Sequence, residues 1–379
     1  MRKAYLSVLV KILFVLITTF TLAFAEKPLN SLDFWQLQQS NSKANLRGLS
    51  IVNSKVVWAS GSQGTCLKTI DAGNTWTTIS IPETQELDFR DLHAFDENTV
   101  CLLSIGEGEK SRIYKTSDSG KTWKLVYKNM RPKAFFDALA FWDEKHGIAF
   151  SDPVDGHFLI ITTSDGGETW QEVPQKNIPP ALDGESAFAA SGSCITVFGK
   201  TNVWIGTGGT QARVFRSTNY GKTWQVFSTP IISGSSSTGI FSLAFKDSKT
   251  GVAVGGDFQN PAETKKTAAY TTDGGKTWQL VKESSKTDVP TLPSGYRSSV
   301  AYLPINKNLL LTVGLNGTDY SLDGGRSWKL ANSEGFNTFA CKDLECWAIG
   351  ANGKIAKLDS KNFLQQIIKN KAAKKFNKN

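Results

Sequence analysis

Short apolar runs alternate with polar, glycine-containing turns along most of the chain. Examples are Phe158-Leu159-Ile160-Ile161 and Arg213-Val214-Phe215, while other runs end in glycine, as in Val57-Trp58-Ala59-Ser60-Gly61. Runs of this length, bounded by turn residues, are typical of β-strands. The pattern therefore predicts an all-β chain of short antiparallel strands.

The turns repeat one octet six times. Each octet has Ser or Thr first, Asp third, Gly fifth, Thr or Ser seventh and Trp last, except that Asn219 replaces the Asp in the fourth copy. The copies span residues 69–76, 116–123, 163–170, 217–224, 271–278 and 321–328. An Asp in a turn accepts hydrogen bonds from backbone N–H groups ahead of it, and Gly takes the positive φ that the turn needs. Each octet is therefore predicted to join two antiparallel strands.

The repeated acidic position is interpreted as a structural device. It is occupied by Asp71, Asp118, Asp165, Asn219, Asp273 and Asp323. The alternative is that these residues are ligands or catalysts. An active site is normally single, whereas a device that builds the fold recurs with the fold, so the structural interpretation is preferred.

The spacing of the octets predicts the number of blades in a β-propeller. Successive copies of the acidic position are 47, 47, 54, 54 and 50 residues apart, close to the length of a four-stranded blade. Three further strands follow the last octet, at residues 336–340, 346–350 and 354–358, and residues 32–37 offer the missing fourth strand. The sequence thus predicts a seven-bladed β-propeller of four-stranded antiparallel blades, with the ring closed by the N-terminal strand.

The two ends of the chain suggest export and a basic tail. Residues 1–25 combine a basic start, an apolar run from Ile12 to Leu22 and the small residues of Ala23-Phe24-Ala25, as a signal peptide does. A membrane anchor is the alternative, but the run is shorter than the roughly 20 residues of a spanning helix. We expect a periplasmic or secreted protein with no membrane span in the mature chain, a propeller over residues 26–360 and a tail over residues 361–379.

The charge distribution argues against a nucleic-acid partner. The formal net charge is +9, but five lysines lie in the last eleven residues and three basic residues lie in the signal peptide, so the body is nearly neutral. The tail is interpreted as a solvated end, with contact to an anionic surface as the alternative. We expect a monomer.

The cysteines and histidines indicate no metal site or cofactor. Cys341 and Cys346 flank a short loop and could close a disulfide, whereas Cys66, Cys101 and Cys194 lie in strand-like runs and are interpreted as core residues. There is no CxxC pair, and the three histidines lack metal-ligand spacing.

Strand alternation places candidate binding residues on one face of the propeller. The starts of the first strands and the loops between second and third strands lie on this face, and the octets lie on the other. The charged residues near first-strand starts are Arg47, Arg90, Asp91, Asp137, Glu185 and Arg297; those in the second loops include Asp152, Asp155 and Asp257. We expect Arg47, Arg90 and Arg297 to converge at the mouth of the channel, beside Asp137 and Glu185, and to bind an acidic segment of a partner. The alternative is a solvated rim.

Two resemblances follow from these motifs. The octets resemble the Asp-box, or BNR repeat, of bacterial sialidases and related propellers. Leu46-Arg47-Gly48-Leu49-Ser50, Trp204-Ile205-Gly206 and Val252-Ala253-Val254-Gly255-Gly256 resemble the photosystem II stability and assembly factor family over nearly the whole mature chain. That resemblance implies a non-enzymatic propeller that holds a membrane-protein partner through an arginine patch, here Arg47, Arg90 and Arg297. Long loops at residues 233–239, 259–266 and 283–295 depart from it.

A glycoside hydrolase of the sialidase type is the competing interpretation, acting on extracellular glycans. It requires three arginines for a carboxylate, a Tyr nucleophile with a Glu beside it, and an acid Asp. Tyr296 or Tyr302 could supply the nucleophile. The Phe-Arg-Ile-Pro signature is absent, because Phe89-Arg90 continues as Asp91-Leu92. The expected function is therefore an exported, non-catalytic scaffold for protein binding or assembly.

Overall fold

The chain folds into seven consecutive antiparallel sheets, the blades of a β-propeller, in a computed structural model that describes residues 34–283 and 290–367. The strands of blades 1 and 2 are Leu46–Ile51, Val57–Gly61, Thr65–Thr69, Thr77–Thr78, Asp88–Ala94, Val100–Ile105, Arg112–Thr116 and Lys124–Lys128. Those of blades 3 and 4 are Phe136–Phe141, Gly147–Val154, His157–Thr163, Gln171–Glu172, Ile195–Phe198, Asn202–Gly206, Arg213–Ser217 and Gln225–Ser228. Those of blades 5 and 6 are Ser235–Phe245, Gly251–Asp257, Ala268–Thr271, Gln279–Leu280, Ser299–Tyr302, Leu310–Gly314, Gly317–Ser321 and Lys329–Asn332. The predicted fold is confirmed.

Blade 7 combines the two ends of the described chain. Its strands Thr338–Lys342, Glu345–Ile349 and Ile355–Leu358 are completed by Trp35–Gln38, which pairs antiparallel with Ile355–Leu358. The first strands of neighbouring blades contact one another all round the ring, including those of blades 7 and 1. The predicted closure by an N-terminal strand is confirmed, and residues 32 and 33 of the predicted strand lie outside the described residues.

Each octet joins the third and fourth strands of its blade, and the five copies with an Asp do so through the same hydrogen bonds. In the second copy, Asp118 Oδ1 accepts from the backbone N–H of Thr122 at 2.9 Å, and Oδ2 accepts from the Thr122 hydroxyl at 2.6 Å. Thr116 Oγ1 donates to Asp118 Oδ1 at 2.8 Å. The hydrogen bonds from Thr122 lower the pKa of Asp118 to about 2. The acidic position therefore closes a turn, and its identification with the Asp-box stays a prediction.

The octets also pack each blade against the blade before it. Gly73 has φ of +87°, and a Cβ at this position would clash with the ring of Trp347 in the preceding blade. Trp204 of blade 4 donates from Nε1 to the carbonyl of Gly274 in the octet of blade 5, at 2.8 Å. Both tryptophans are fully buried. Large aromatic side chains thus form the seams between blades, where their area contributes most to stability.

Blade 5 extends the predicted four strands toward the channel. The short strands Glu185–Ser186 and Gly208–Gly209 add to the edge of its long first strand, Ser235–Phe245. This first strand includes most of the segment that the sequence analysis assigned to a long loop at residues 233–239. Two 3-10 helices, Gly108–Lys110 and Gln175–Asn177, lie in other connections.

A helix over residues 360–367 packs on the outside of blades 6 and 7. The Phe363 ring contacts Phe34 with centroids 4.8 Å apart and Tyr320 at 6.1 Å, and both Phe363 and Ile367 are buried. The first residues of the segment assigned to the basic tail are therefore packed in the body. The lysines from Lys369 onward and the predicted signal peptide lie outside the described residues. Within the described ranges, no helix has the length and apolar character to cross a membrane.

The cysteines divide as two bonded and three free. Cys341 and Cys346 pair directly across the first two strands of blade 7 and form a disulfide, which resolves a pairing that the sequence left open. Cys66, Cys101 and Cys194 are buried free thiols. Burial raises the pKa of Cys66 and Cys101 to about 12, so these thiols are unreactive core residues.

Candidate binding site at the channel mouth

The first strands of four blades contain a β-bulge at the same position. In blade 1, Leu46 pairs with Gly61 and Gly48 with Ser60, so Arg47 between them has no partner. The equivalent unpaired residues in blades 2, 3 and 5 are Arg90, Asp137 and Phe241. A bulge bends its strand and redirects the side chain of the extra residue. Here the four redirected side chains line one cavity at the mouth of the channel.

This mouth cavity has a volume of about 400 Å³. Besides the four bulge residues, its lining includes Asp152, Phe188, Ala189, Ala190, Phe258, Tyr296, Ser298, Leu315 and Asn337. Phe258 and Leu315 directly follow the second strands of blades 5 and 6, whereas Asp152, which was predicted to lie in a loop, is near the end of the second strand of blade 3. The face that the sequence analysis selected from strand direction therefore contains a cavity.

The mouth is partly filled by residues 188–193, here called the crossing segment, which connects blades 3 and 4. Arg47 Nη1 donates to the carbonyl of Ala190 at 2.7 Å, and Arg90 Nη1 donates to the carbonyl of Ala189 at 3.1 Å. Arg90 Nε also forms an ion pair with Asp88 Oδ2 at 2.9 Å. Burial and the charge of Arg90 lower the pKa of Arg47.

Other side chains tie the crossing segment to the remaining blades. Ser191 Oγ donates to the carbonyl of Ser298 in blade 6 at 2.7 Å, and Thr338 Oγ1 in blade 7 donates to the carbonyl of Ser191 at 3.1 Å. The hydroxyls of Ser193 and Ser242 lie 2.7 Å apart, which links the segment to blade 5. The crossing segment is therefore a fixed part of the mouth. The sequence indicates this additional segment by the 54 residues that separate Asp165 from Asn219, since the two preceding pairs of octets are only 47 residues apart.

Arg297 is not part of the mouth cavity, contrary to the prediction. It is fully buried, and its Nε donates to Asp319 Oδ2 at 2.5 Å while Nη1 donates to Asn316 Oδ1 at 2.6 Å. The residue equivalent to Arg47 in blade 6 is Ser298, because each lies four residues before the position that pairs with the start of the second strand. Successive side chains of a strand point to opposite sides, so a shift of one residue turns Arg297 away.

Glu185 and Asp91 also point away from the cavity. Glu185 Oε1 accepts from Arg213 Nε at 2.9 Å and from Thr207 Oγ1 at 2.6 Å in a buried ion pair. Asp91 accepts from the backbone N–H groups of Leu92 and Leu139, both at 2.8 Å, and so connects the first strands of blades 2 and 3. Burial raises the pKa of Asp91 to about 7. Both carboxyls hold the fold together, and neither is available to a ligand.

A pair of carboxyls, Asp137 and Asp152, also lines the mouth cavity. Asp137 is 1 % exposed, and neither of its oxygens has a hydrogen-bond partner among the described residues. Burial and the charge of Asp152 raise the pKa of Asp137, and Arg90 and the nearby backbone N–H of Ala189 oppose that shift, although the N–H does not form a hydrogen bond of regular geometry. Asp152 accepts from the backbone N–H of Ala187 at 2.7 Å, and burial raises its pKa to about 6.

An aromatic wall, formed by Phe188, Phe241, Phe258 and Tyr296, completes the site. Phe188 stacks on Phe241 with centroids 3.9 Å apart, and Tyr296 meets Phe241 edge to face at 4.7 Å. Phe258 is 41 % exposed and the neighbouring Leu315 is 51 % exposed, so the wall continues to an apolar rim. The sequence analysis missed this wall, because its residues come from the crossing segment, a bulge, a loop and a first-strand start.

The described residues hold no group of three or more His, Cys, Asp or Glu side chains placed to bind a metal ion. The site therefore offers guanidinium groups, carboxyls and apolar surface as its binding chemistry.

Comparisons with known proteins agree on the fold. The family model Sortilin-Vps10, described as sortilin, neurotensin receptor 3, matches residues 159–291. No curated protein matches the sequence. The solved structure of YCF48 bound to D1 peptide is similar, with a TM-score of 0.59 and 15% identity over 87% of this chain and 96% of that chain. YCF48 from Cyanidioschyzon merolae gives 0.60 and 14% over 87% and 99%.

A glycoside hydrolase is also among the similar structures. The GH74 enzyme of Niastella koreensis gives a TM-score of 0.52 and 14% identity, over 81% of this chain and 51% of that chain. Proteins that share a propeller at such identities carry out unrelated functions on it. The comparisons therefore show that the chain is a β-propeller, and its function has to be argued from the mouth cavity.

Proposed function

We propose that this protein is an exported, non-catalytic scaffold that binds an extended segment of a partner protein at the channel mouth. The observation that carries the proposal is the mouth cavity itself, where two arginines and a carboxyl pair lie beside an exposed apolar rim. Propellers offer such a mouth as a rigid frame, since its residues come from six different blades. The signal-peptide pattern at residues 1–25 supports action in the periplasm or outside the cell.

The size and lining of the cavity favour a peptide over a folded domain surface. A volume of about 400 Å³ accommodates a few side chains and lies within the usual range of ligand sites. Phe258 and Leu315 expose apolar area at the rim, where it would be buried by the flanking residues of a bound segment. Apolar anchors inside a polar rim are typical of protein recognition.

The comparisons supply a precedent. YCF48 is described as bound to D1 peptide, so a propeller of similar fold has bound a peptide. An assembly role similar to that of the photosystem II stability and assembly factors belongs to the proposal, supported by this likeness and by the sequence resemblance. The identity of the partner is not part of it.

A peptide-display selection tests the proposal. Random dodecapeptides are selected on the mature protein, and the affinity of each selected peptide is measured against a rim variant with Phe258→Ala and Leu315→Ala. We expect at least a tenfold loss, since each change removes apolar contact worth about 1 kcal/mol or more. Leu344→Ala is the matched control, because Leu344 is exposed in a loop on the octet face. Selected peptides that bind the rim variant as tightly as the wild type would refute a site at the mouth.

Glycoside hydrolysis is the second candidate, favoured by the carboxyls of Asp137 and Asp152. Glycosidases use two carboxyls in unequal environments, and one structural neighbour is a GH74 enzyme. The sialidase constellation is not assembled, because Arg297 is held by Asp319 and burial raises the pKa of Tyr296 far above neutral pH. Hydrolysis of a sialoside or a plant polysaccharide by the wild type, and its loss in Asp137→Asn, would favour the enzyme over the scaffold.

A further inference from the structure

Around the mouth cavity, more hydrogen-bond acceptors than donors are left without a partner, and these acceptors are carboxylate oxygens. Arg47 and Arg90 already donate to the crossing segment, and Arg90 also to Asp88. The buried polar atoms near the cavity that have no partner among the described residues are Arg47 Nε, Asp88 Oδ1 and both carboxylate oxygens of Asp137. Three of these four atoms are acceptors. A buried polar group without a partner in a native structure calls for an explanation, and a ligand that donates hydrogen bonds supplies one.

The charges agree with the hydrogen bonds. Two guanidinium groups, Arg47 and Arg90, and two carboxyls, Asp137 and Asp152, line the cavity, and a third carboxyl, Asp88, lies next to Arg90. Asp88 is already paired with Arg90. Asp137 is the most deeply buried of the three, and its charged form is disfavoured first by burial and then by the charge of Asp152. A positive group at this position would relieve both the repulsion and the missing hydrogen bonds.

The aromatic wall stands beside the carboxyl pair. Phe188 and Phe241 line the cavity together with Asp137 and Asp152, and the exposed ring of Phe258 lies at its rim. Aromatic faces attract ammonium and guanidinium groups and also bury the methylene stem of a long basic side chain. The cavity thus combines acceptors for a cation with apolar surface for the chain that carries it.

We infer that the mouth cavity binds a lysine or arginine side chain of the partner segment, with its cation held by Asp137 and Asp152 and an adjoining apolar residue packed on Phe258 and Leu315. This inference rests on the proposed function and specifies its ligand. It replaces the expectation of an acidic segment, because Arg47 and Arg90 are occupied in holding the crossing segment. Arg47 Nε remains as a donor for one backbone carbonyl of the bound segment.

The test uses the dodecapeptides selected on the mature protein. We expect the selected sequences to share a Lys or Arg next to an aromatic or aliphatic residue. For the tightest peptide that contains a lysine, replacing that lysine by norleucine removes the ammonium group and keeps the hydrocarbon stem. It should weaken binding to the wild type at least tenfold, as charge-assisted hydrogen bonds are lost. In Asp137→Asn and in Asp152→Asn, the lysine and norleucine peptides should bind within threefold of each other. Each variant replaces a carboxyl, whose ionisation is unfavourable in this buried position, by a carboxamide of nearly the same shape.

The outcomes separate this inference from the proposed function. The cation site would be overturned if the selected peptides need Phe258 and Leu315 but share no basic residue. It would also be overturned if a lysine peptide and its norleucine analogue bind equally well. Either result would leave peptide binding at the mouth intact. A lysine preference that persists unchanged in both carboxamide variants would overturn the cation site as well. Selected peptides that bind the rim variant as tightly as the wild type would instead refute the proposed function.

Discussion

Arg47 donates a hydrogen bond of 2.7 Å to the carbonyl of Ala190, a residue 143 positions further along the chain. This bond joins the first blade to a segment that crosses the channel mouth from the opposite side of the ring. The mouth is therefore organised around the crossing segment. The arginines that line the cavity also hold this segment in place through hydrogen bonds to its carbonyl groups.

Removing the Arg47 side chain should loosen the crossing segment. Arg47→Ala deletes a charged donor to Ala190, a loss of about 1.5 to 3 kcal/mol for a hydrogen bond of this kind. Hydrogen exchange followed by mass spectrometry should show faster exchange in residues 188–193, with little change in the octet turns. The control is Arg326→Ala, an exposed arginine on the octet face. Unchanged protection of the crossing segment would mean that the serine and threonine contacts alone hold it.

The octet turns should tolerate substitution at a moderate cost in stability and none in binding. Asp273→Ala removes an acceptor for the backbone N–H groups of Lys276 and Thr277, both bonded at 3.0 Å. By analogy with helix caps, the free energy of unfolding should fall by about 0.5 to 2 kcal/mol. Urea denaturation measures the change, and peptide affinity at the mouth should stay as in the wild type. Weaker binding at unchanged stability would show that the octet belongs to a site.

The fourth octet offers the reverse experiment. Asn219 donates from Nδ2 to Thr223 Oγ1 at 2.9 Å, whereas in the other octets the hydroxyl at this position donates to a carboxylate. Asn219→Asp should restore that charged acceptor and raise the midpoint of urea unfolding, because hydrogen bonds to a carboxylate are stronger than those to an amide. A lower midpoint would show that the turn geometry of this copy favours the amide.

The stability of the fold should rise as pH falls from about 7 to about 5. Burial raises the pKa of Asp91 to about 7 and of Asp152 to about 6, and it raises the pKa of Asp137, so the folded state holds these protons more tightly than the unfolded chain, where such groups titrate near pH 3.9. Ionisation between pH 4 and 7 therefore costs stability. Burial lowers the pKa of His93 to about 4, so this one group favours the opposite pH dependence to that of the three carboxyls.

Below about pH 4 the sign reverses. Hydrogen bonds within the octets lower the pKa of Asp118 to about 2, and the pKa values of Asp165 and Asp273 are also lowered to about 2, so the stability they contribute above pH 4 is lost as pH falls toward 2. A melting-temperature profile should thus have its maximum near pH 4 to 5. Asp91→Asn is the diagnostic variant, although it also replaces an acceptor by an amide. A wild-type melting temperature that is higher at pH 7.5 than at pH 5 would contradict this assignment of the buried carboxyls.

Much of the fold could be predicted from short-range patterns. In six blades the octet marks the end of the third strand and the start of the fourth, and the octet spacing counts these blades, because a turn of this kind depends only on residues close in sequence. Cys341 and Cys346 likewise lie opposite each other because a short hairpin loop joins their two strands. Strand direction then indicated the face that contains the mouth cavity.

The site could be predicted only in part, for two physical reasons. Periodicity does not reveal the register of a first strand, which a bulge shifts in blades 1, 2, 3 and 5 but not over the paired residues of blade 6, so it does not decide whether Arg297 or Ser298 faces the channel. The crossing segment has no repeat of its own, and its contacts reach five blades through hydrogen bonds between residues far apart in the chain. Arg47, Arg90 and Asp137 were predicted from their charge near the starts of first strands, and the structure places each of them at a bulge.

A structure of the protein with the tightest selected dodecapeptide tests the central claim most directly. The result expected is a peptide that lies across the mouth, with a lysine or arginine cation within hydrogen-bond distance of Asp137 or Asp152 and an apolar side chain against Phe258 and Leu315. A peptide bound along a blade edge or on the octet face, with the mouth cavity empty, would contradict it.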